Sequence, residues 1–331
     1  MGKFGKLWKT VLATGAGAGL LAAVNASIRR GASEPDDAIF GGAAQSFHWQ
    51  HGDIFYKSAG PQGQAQPLLF VHGIGAGVSS FMWRRNFDEL SRHYQVYALD
   101  LLGCGLSDKP PYAYYSTELY VELIADFIRQ VIGRPAHTVA SSLGAAYCAR
   151  VADQHPELVK DLLLISPTGV NNLSARPGMT GAAFYGLLES PVLGESFYNV
   201  VASERSIRDY ARKQLFYDPA RVTERLVSQY YAASHQPGAQ HVIAAFLSGY
   251  LNTDIRAPFA RLQQRVTLVW GKQDETNKLE QAADLLHLNP QARLVIFDRC
   301  RMMPQEEHPE KFNALALEAL RASSDDNMAQ A

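Results

Sequence analysis

A chain of 331 residues, 47% hydrophobic and 19% charged, can bury one large core with room for an insertion, as globular proteins do. Its 31 basic and 32 acidic residues nearly cancel, and no basic stripe or aromatic-interleaved Lys/Arg cluster marks a nucleic-acid footprint. Cys104, Cys148 and Cys300 are odd in number and lack C-x-x-C spacing, and no P-loop, H-E-x-x-H or calcium-loop pattern occurs, so neither a disulfide framework nor a metal or cofactor site is expected.

At the amino end, Lys3, Lys6 and Lys9 precede an uncharged run over residues 10–28 that closes on Arg29 and Arg30. At 19 residues the run could just cross a bilayer, yet it is Gly/Ala-rich and holds Asn25, which makes its hydrophobicity borderline. Residues 1–30 read as a membrane-directed or signal-like segment. Three forms stay open: a retained anchor or peripheral membrane helix, a signal cleaved after the small residues Val24 and Ala26, and a soluble helix. Membrane association through this segment is the expected localisation, with a cytoplasmic or exported protein as the alternatives.

A linker over 31–46 leads to strand-like stretches at 47–49 and 53–56, which suggest an antiparallel hairpin. Short apolar runs at 68–71, 95–99, 138–140, 162–165, 266–270 and 294–297 fit strands covered on both faces. Helical patterns at 79–91, 117–131, 143–155, 279–286 and 309–322 separate most of them. Such alternation predicts a mostly parallel, doubly wound α/β layer built from 47–170 and 255–322. Between them, 171–254 shows no buried-strand signal but amphipathic stretches at 220–233 and 240–251, so it reads as a helical cap. Its paired aromatics (Phe184-Tyr185, Phe197-Tyr198, Phe216-Tyr217, Tyr230-Tyr231) suit either a wall around an apolar substrate or cap-to-core packing. The tail 323–331 is short, polar and acidic, and is expected to be disordered.

The block Val139-Ala140-Ser141-Ser142-Leu143-Gly144-Ala145 joins an apolar strand to an alanine-rich helix. A turn that sharp admits only small side chains two positions either side of its central residue, and Ala140 and Gly144 meet the requirement. It would lift the Ser142 hydroxyl above the sheet and aim the Leu143 N–H, at the helix start, toward a developing oxyanion. Alone, the pattern also describes a helix-capping serine. His72-Gly73-Ile74-Gly75-Ala76-Gly77 follows the 68–71 strand, and its spacing fails the G-x-G-x-x-G nucleotide fingerprint.

Together these motifs resemble the α/β-hydrolase family, as does Asp100-Leu101-Leu102-Gly103-Cys104-Gly105-Leu106-Ser107-Asp108. The resemblance covers about 47–322 and implies the α/β-hydrolase fold, Ser142 as nucleophile and the Ile74 N–H as second oxyanion donor beside Leu143. It implies an acid after the strand that follows the cap, where Val269-Trp270-Gly271-Lys272-Gln273-Asp274 offers Asp274. Relatives typically end with Gly-His-x-Pro-x-x-Glu-x-Pro-Glu-x-Phe, whereas this chain reads Arg301-Met302-Met303-Pro304-Gln305-Glu306-Glu307-His308-Pro309-Glu310-Lys311-Phe312. In that register Met302 occupies the histidine position. A thioether cannot take a proton from a serine, so the expected base is absent. His308, His235 and His241 are the histidines considered as substitutes. Two readings follow: a hydrolase of a small hydrophobic ester or thioester with a non-standard base, or an inactive pseudo-hydrolase that binds or scaffolds.

Overall fold

The computed structural model describes residues 15–61, 63 and 65–326; the Lys3–Lys9 stretch and the end of the expected disordered tail lie outside the described residues. Its middle layer is an eight-stranded sheet in the order β1-β2-β4-β3-β5-β6-β7-β8. The strands are β1 (Ala43–Trp49), β2 (Gly52–Ala59), β3 (Pro67–Val71), β4 (Gln95–Leu99), β5 (Ala136–Ser141), β6 (Val159–Ile165), β7 (Arg265–Gly271) and β8 (Arg293–Phe297). The β1–β2 and β2–β4 pairs are antiparallel; every other neighbouring pair is parallel. β3 and β5 are buried along their whole length, which is why they read as unbroken apolar runs rather than alternating ones.

Of the longer helices, α1 (Gly15–Gly31) precedes the sheet, and α2 (Thr117–Phe127), α3 (Ser142–Gln154), α9 (Glu280–Leu288) and α10 (Pro309–Asp326) flank it. The cap contributes α4 (Met179–Leu188), α5 (Leu193–Val201), α6 (Glu204–Tyr210), α7 (Glu224–Ser234) and α8 (Ala239–Leu247). Residues 79–91 do not form the single helix expected. They make a 3₁₀ turn, Ser80–Trp83, with Phe81, Met82 and Trp83 all buried, and a one-turn helix, Phe87–Leu90. α8 ends at Leu247, four residues short of the expected 251, and Gly249 just beyond its cap takes a φ of +83° that a continuing helix cannot hold.

The cap is fastened closely to the sheet layer. A Cβ on Gly77 would stand 2.0 Å from the Tyr230 carbonyl oxygen, so α7 lies directly on the 72–77 loop. From below, the Tyr147 hydroxyl of α3 donates to the Leu251 carbonyl at 3.0 Å. The cap aromatics divide: Tyr198, Phe216 and Tyr230 are buried packing residues, while Phe184, Phe197 and Tyr217 face outward. Adjacent helical residues point about 100° apart, so an aromatic pair at a helix boundary sends one ring each way.

Candidate active site

The strand order reverses at β3 and β5, and the crevice outside their carboxyl ends is where open parallel sheets carry their chemistry. β5 passes straight into α3 there. Ser142 makes the turn at φ +54°, a left-handed conformation that a non-glycine residue holds only when its surroundings impose it. The glycines show what imposes it: a Cβ on Gly144 would be 2.2 Å from the His72 carbonyl oxygen, and one on Gly73 would be 3.2 Å from Ser142 Cβ. The 72–77 loop therefore presses against the elbow and brings the backbone of Ile74 beside it. Leu143 is buried in the first turn of α3, where N–H groups have no partner within the helix. Ser142 itself is half-buried.

His72 braces this region. Its Nδ1 lies 2.6 Å from the Gly73 carbonyl and its Nε2 accepts from the Leu101 N–H at 3.0 Å, an arrangement that requires the neutral ring with its proton on Nδ1. Burial holds its pKa below the usual histidine value, in keeping with that tautomer. Asp100 ties the adjoining loops, accepting from Ser80 N–H at 2.7 Å and Leu106 N–H at 2.8 Å.

Asp274 lies just beyond β7 and is 4% exposed. Its Oδ1 accepts from the N–H groups of Thr276 and Asn277, both at 2.9 Å, while its Oδ2 is buried without a partner at hydrogen-bond geometry. Burial pushes the carboxyl up to about 6, against the opposing pull of the two amides, the Ser166 hydroxyl and the Arg301 charge. The loops carrying Asp274 and Met302 are laced together. Gln273 N–H donates to the Cys300 carbonyl at 2.9 Å, and the Gln273 side-chain oxygen accepts from Cys300 N–H at 3.0 Å.

Met302 is half-buried, and the Tyr210 hydroxyl at the end of α6 lies 4.0 Å from its sulfur. Burial, and after it the charge on Asp274, raises the Tyr210 pKa, so this hydroxyl stays protonated at neutral pH. Arg301 fastens the cap to the site, donating from its guanidinium to the Arg212 and Lys213 carbonyls. Its own N–H is held by Glu307 Oε1 at 2.8 Å, and Glu307 Oε2 accepts from Tyr217 N–H at 2.8 Å.

The substitute histidines are engaged elsewhere. His235 is buried, stacks on Tyr231 at 4.0 Å between centroids, and places Nδ1 2.9 Å from the Tyr231 carbonyl. Burial lowers its pKa. His241 Nδ1 pairs with Glu189 Oε2 at 2.7 Å within the cap, and His308 Nε2 lies 3.1 Å from the Arg299 carbonyl. Sequence reading missed Tyr210 and Ser166. Tyr210 carries no local signal, because cap packing alone sets its place; Ser166 sits at the end of β6 at φ +41°, a strain that residue type does not reveal.

An eight-stranded, mostly parallel sheet with a strained serine at the strand-to-helix turn defines a hydrolase-type α/β fold. Residues 66–309 match the alpha/beta hydrolase fold family, and the chain belongs to it. It is 26% identical to 2-hydroxymuconate semialdehyde hydrolase from Pseudomonas sp. (strain CF600), over 76% of this chain and 86% of that one. Identity to 2-hydroxy-6-oxo-2,4-heptadienoate hydrolase from Pseudomonas putida is 27%, over 78% and 91% respectively. Among solved structures, a meta-cleavage product hydrolase from Pseudomonas fluorescens IP01 has the same fold, with a TM-score of 0.70 at 24% identity, covering 87% of this chain and all of that one.

Proposed function

We propose that the chain is a hydrolase of a small apolar thioester or ester, with Ser142 as nucleophile and Asp274, in place of a histidine, as proton acceptor. The observation that carries this reading is the elbow: Ser142 is held at φ +54° at the strand-to-helix turn by the close approach of the 72–77 loop. The N–H groups of Ile74 and Leu143 receive the oxyanion. Asp274 offers Oδ2, which has no partner at strict hydrogen-bond geometry although the Ser166 hydroxyl interacts with the carboxyl, and a pKa of about 6 lies nearer to neutrality than that of an ordinary aspartate, which makes it the better base. In the first step the Ser142 Oγ–acyl bond forms, the Oγ proton passes to Asp274 Oδ2 through a water molecule, and the thiolate, or the phenolate of an activated ester, departs as the bond to the acyl carbon breaks. Water then cleaves the acyl-enzyme.

The missing imidazole selects the leaving group. Met302, where the family places its histidine, cannot protonate what departs, so departure is easiest for a group that leaves as a weak base. A thiolate, from a thiol of pKa about 8.5, meets that condition far better than an amine. A second reading, a binding protein that keeps the pocket without turnover, draws on Met302 itself, since loss of the histidine alone costs on the order of 10⁶ in kcat in a serine hydrolase. Turnover of acyl thioesters, p-nitrophenyl esters and 2-hydroxymuconate semialdehyde by the unaltered protein and by Ser142→Ala, Asp274→Asn and Met302→His separates them. Thioester turnover abolished by the first two substitutions supports the hydrolase. Activity found only in Met302→His establishes the binding protein.

A further inference from the structure

The strongest unexplained feature outside the site is the outer surface of α1, α4 and α5. α1 packs on the cap through α5: Asn25, 2% exposed, donates to the Val192 carbonyl at 3.2 Å and to Ser196 Oγ at 3.1 Å, and accepts from Asn199 at 3.0 Å, while Arg29 pairs with Glu195. A surface helix packed on one side ordinarily turns charge to the other. α1 does not: Ala18, Leu20, Ala22, Ala23 and Val24 are not turned to charge but left apolar at or near the surface, with Leu20 and Val24 openly exposed, and the helix's only charges are Arg29 and Arg30 at the carboxyl end. α4 repeats the anomaly, a helix without one charged residue that leaves Phe184 and Leu187 exposed.

α5 joins the two into one surface. On its helical wheel, Val192, Glu195, Ser196 and Asn199 form the flank that meets α1. Phe197, whose ring lies 6.3 Å from that of Phe184, marks the nearly opposite flank toward α4. Tyr198 turns inward to the Ser234 carbonyl, and Val200, 58% exposed, stands on the outside between the flanks. Across the three helices the charged residues are Arg29, Arg30 and Glu195, and the last is already paired. Ahead of α1 the sequence adds Lys3, Lys6 and Lys9, and no acidic residue occurs before Glu34.

We propose that this face docks on an anionic lipid bilayer, lying in the interface rather than crossing it. Among the described residues no helix is long and apolar enough to span a membrane. A surface with almost no charge, preceded by a sequence whose charges before Glu34 are all basic, matches the layered chemistry of such an interface, hydrocarbon beneath negatively charged headgroups. The docking rests on the surface alone and is independent of whether Ser142 is catalytic.

The test is co-sedimentation of the full-length chain with vesicles of equal parts phosphatidylglycerol and phosphatidylcholine, and with phosphatidylcholine alone. Binding is expected to the anionic vesicles and to weaken with added salt. Phe184→Asp/Leu187→Asp/Val200→Asp should reduce affinity about tenfold or more, since each side chain would otherwise bury its apolar surface. Lys3→Glu/Lys6→Glu/Lys9→Glu should do the same on anionic vesicles while leaving the cap sequence unchanged, and so serves if the first variant fails to fold. Overturning results are absence of vesicle binding, binding that both variants retain in full, or a parent protein that stays off vesicles and forms a dimer that the aspartate variant dissolves.

Discussion

Replacing Asp274 by asparagine probes the buried carboxyl without altering its shape. In the folded chain the group ionises at about 6, against 3.8 for an ordinary aspartate. The folded state therefore holds its proton more tightly than the unfolded state, and between those pH values it binds more protons. Stability must fall as pH rises through that window and level off above it. At roughly 1.4 kcal/mol per pH unit, the loss is about 3 kcal/mol. In Asp274→Asn the side-chain amide oxygen would still accept from the Thr276 and Asn277 N–H groups, and its nitrogen would stand beside the Ser166 hydroxyl, which can turn to accept from it, leaving ionisation as the main difference. Urea unfolding at pH 4 and pH 7.5 should show the Asp274→Asn variant gaining about 2.4 kcal/mol on the parent between the two conditions, since pH 4 already lies at the unfolded-state pKa. A stability difference that does not change with pH would mean the carboxyl has an ordinary pKa, and its case as a base would collapse.

Three further outcomes follow from single contacts. Gly144→Ala would drive a methyl to 2.2 Å from the His72 carbonyl and should cost about 3 kcal/mol, read as a lower urea midpoint, together with loss of any Ser142 labelling. Glu306, 1% exposed at its side chain, holds Arg84 through both carboxylate oxygens; Glu306→Ala strands a largely buried guanidinium and should destabilise by roughly 3–5 kcal/mol in the same assay. Arg301→Ala removes both the cap strap and the positive charge near Asp274. The pH midpoint of turnover should then move above 6, and proteolysis near residues 211–218 should quicken.

The sheet was legible because its strands are local facts: the apolar runs at 68–71, 95–99, 138–140, 162–165, 266–270 and 294–297 all lie inside β3 to β8. The elbow was legible for the same reason, since small residues around Ser142 answer a steric demand of neighbouring backbone. What sequence could not give is set by packing between distant segments. Tyr210 meets Met302 across 92 residues, and nothing near either one announces it. Asn25, which makes the amino-terminal run a borderline membrane span, proves to be the residue that hydrogen-bonds α1 to α5, 171 residues from Ser196. The expected helix at 79–91 is instead a 3₁₀ turn and a one-turn helix, because apolar spacing alone does not distinguish one helix from two short turns.

The central claim, that Ser142 is a working nucleophile without a histidine, is tested most directly by intact-mass analysis of the purified protein after exposure to a fluorophosphonate, with peptide mapping of the adduct. The account predicts one adduct per chain, located on Ser142, absent from Ser142→Ala and strongly slowed in Asp274→Asn. No adduct on the unaltered protein, with rapid labelling of the Met302→His variant, would contradict it.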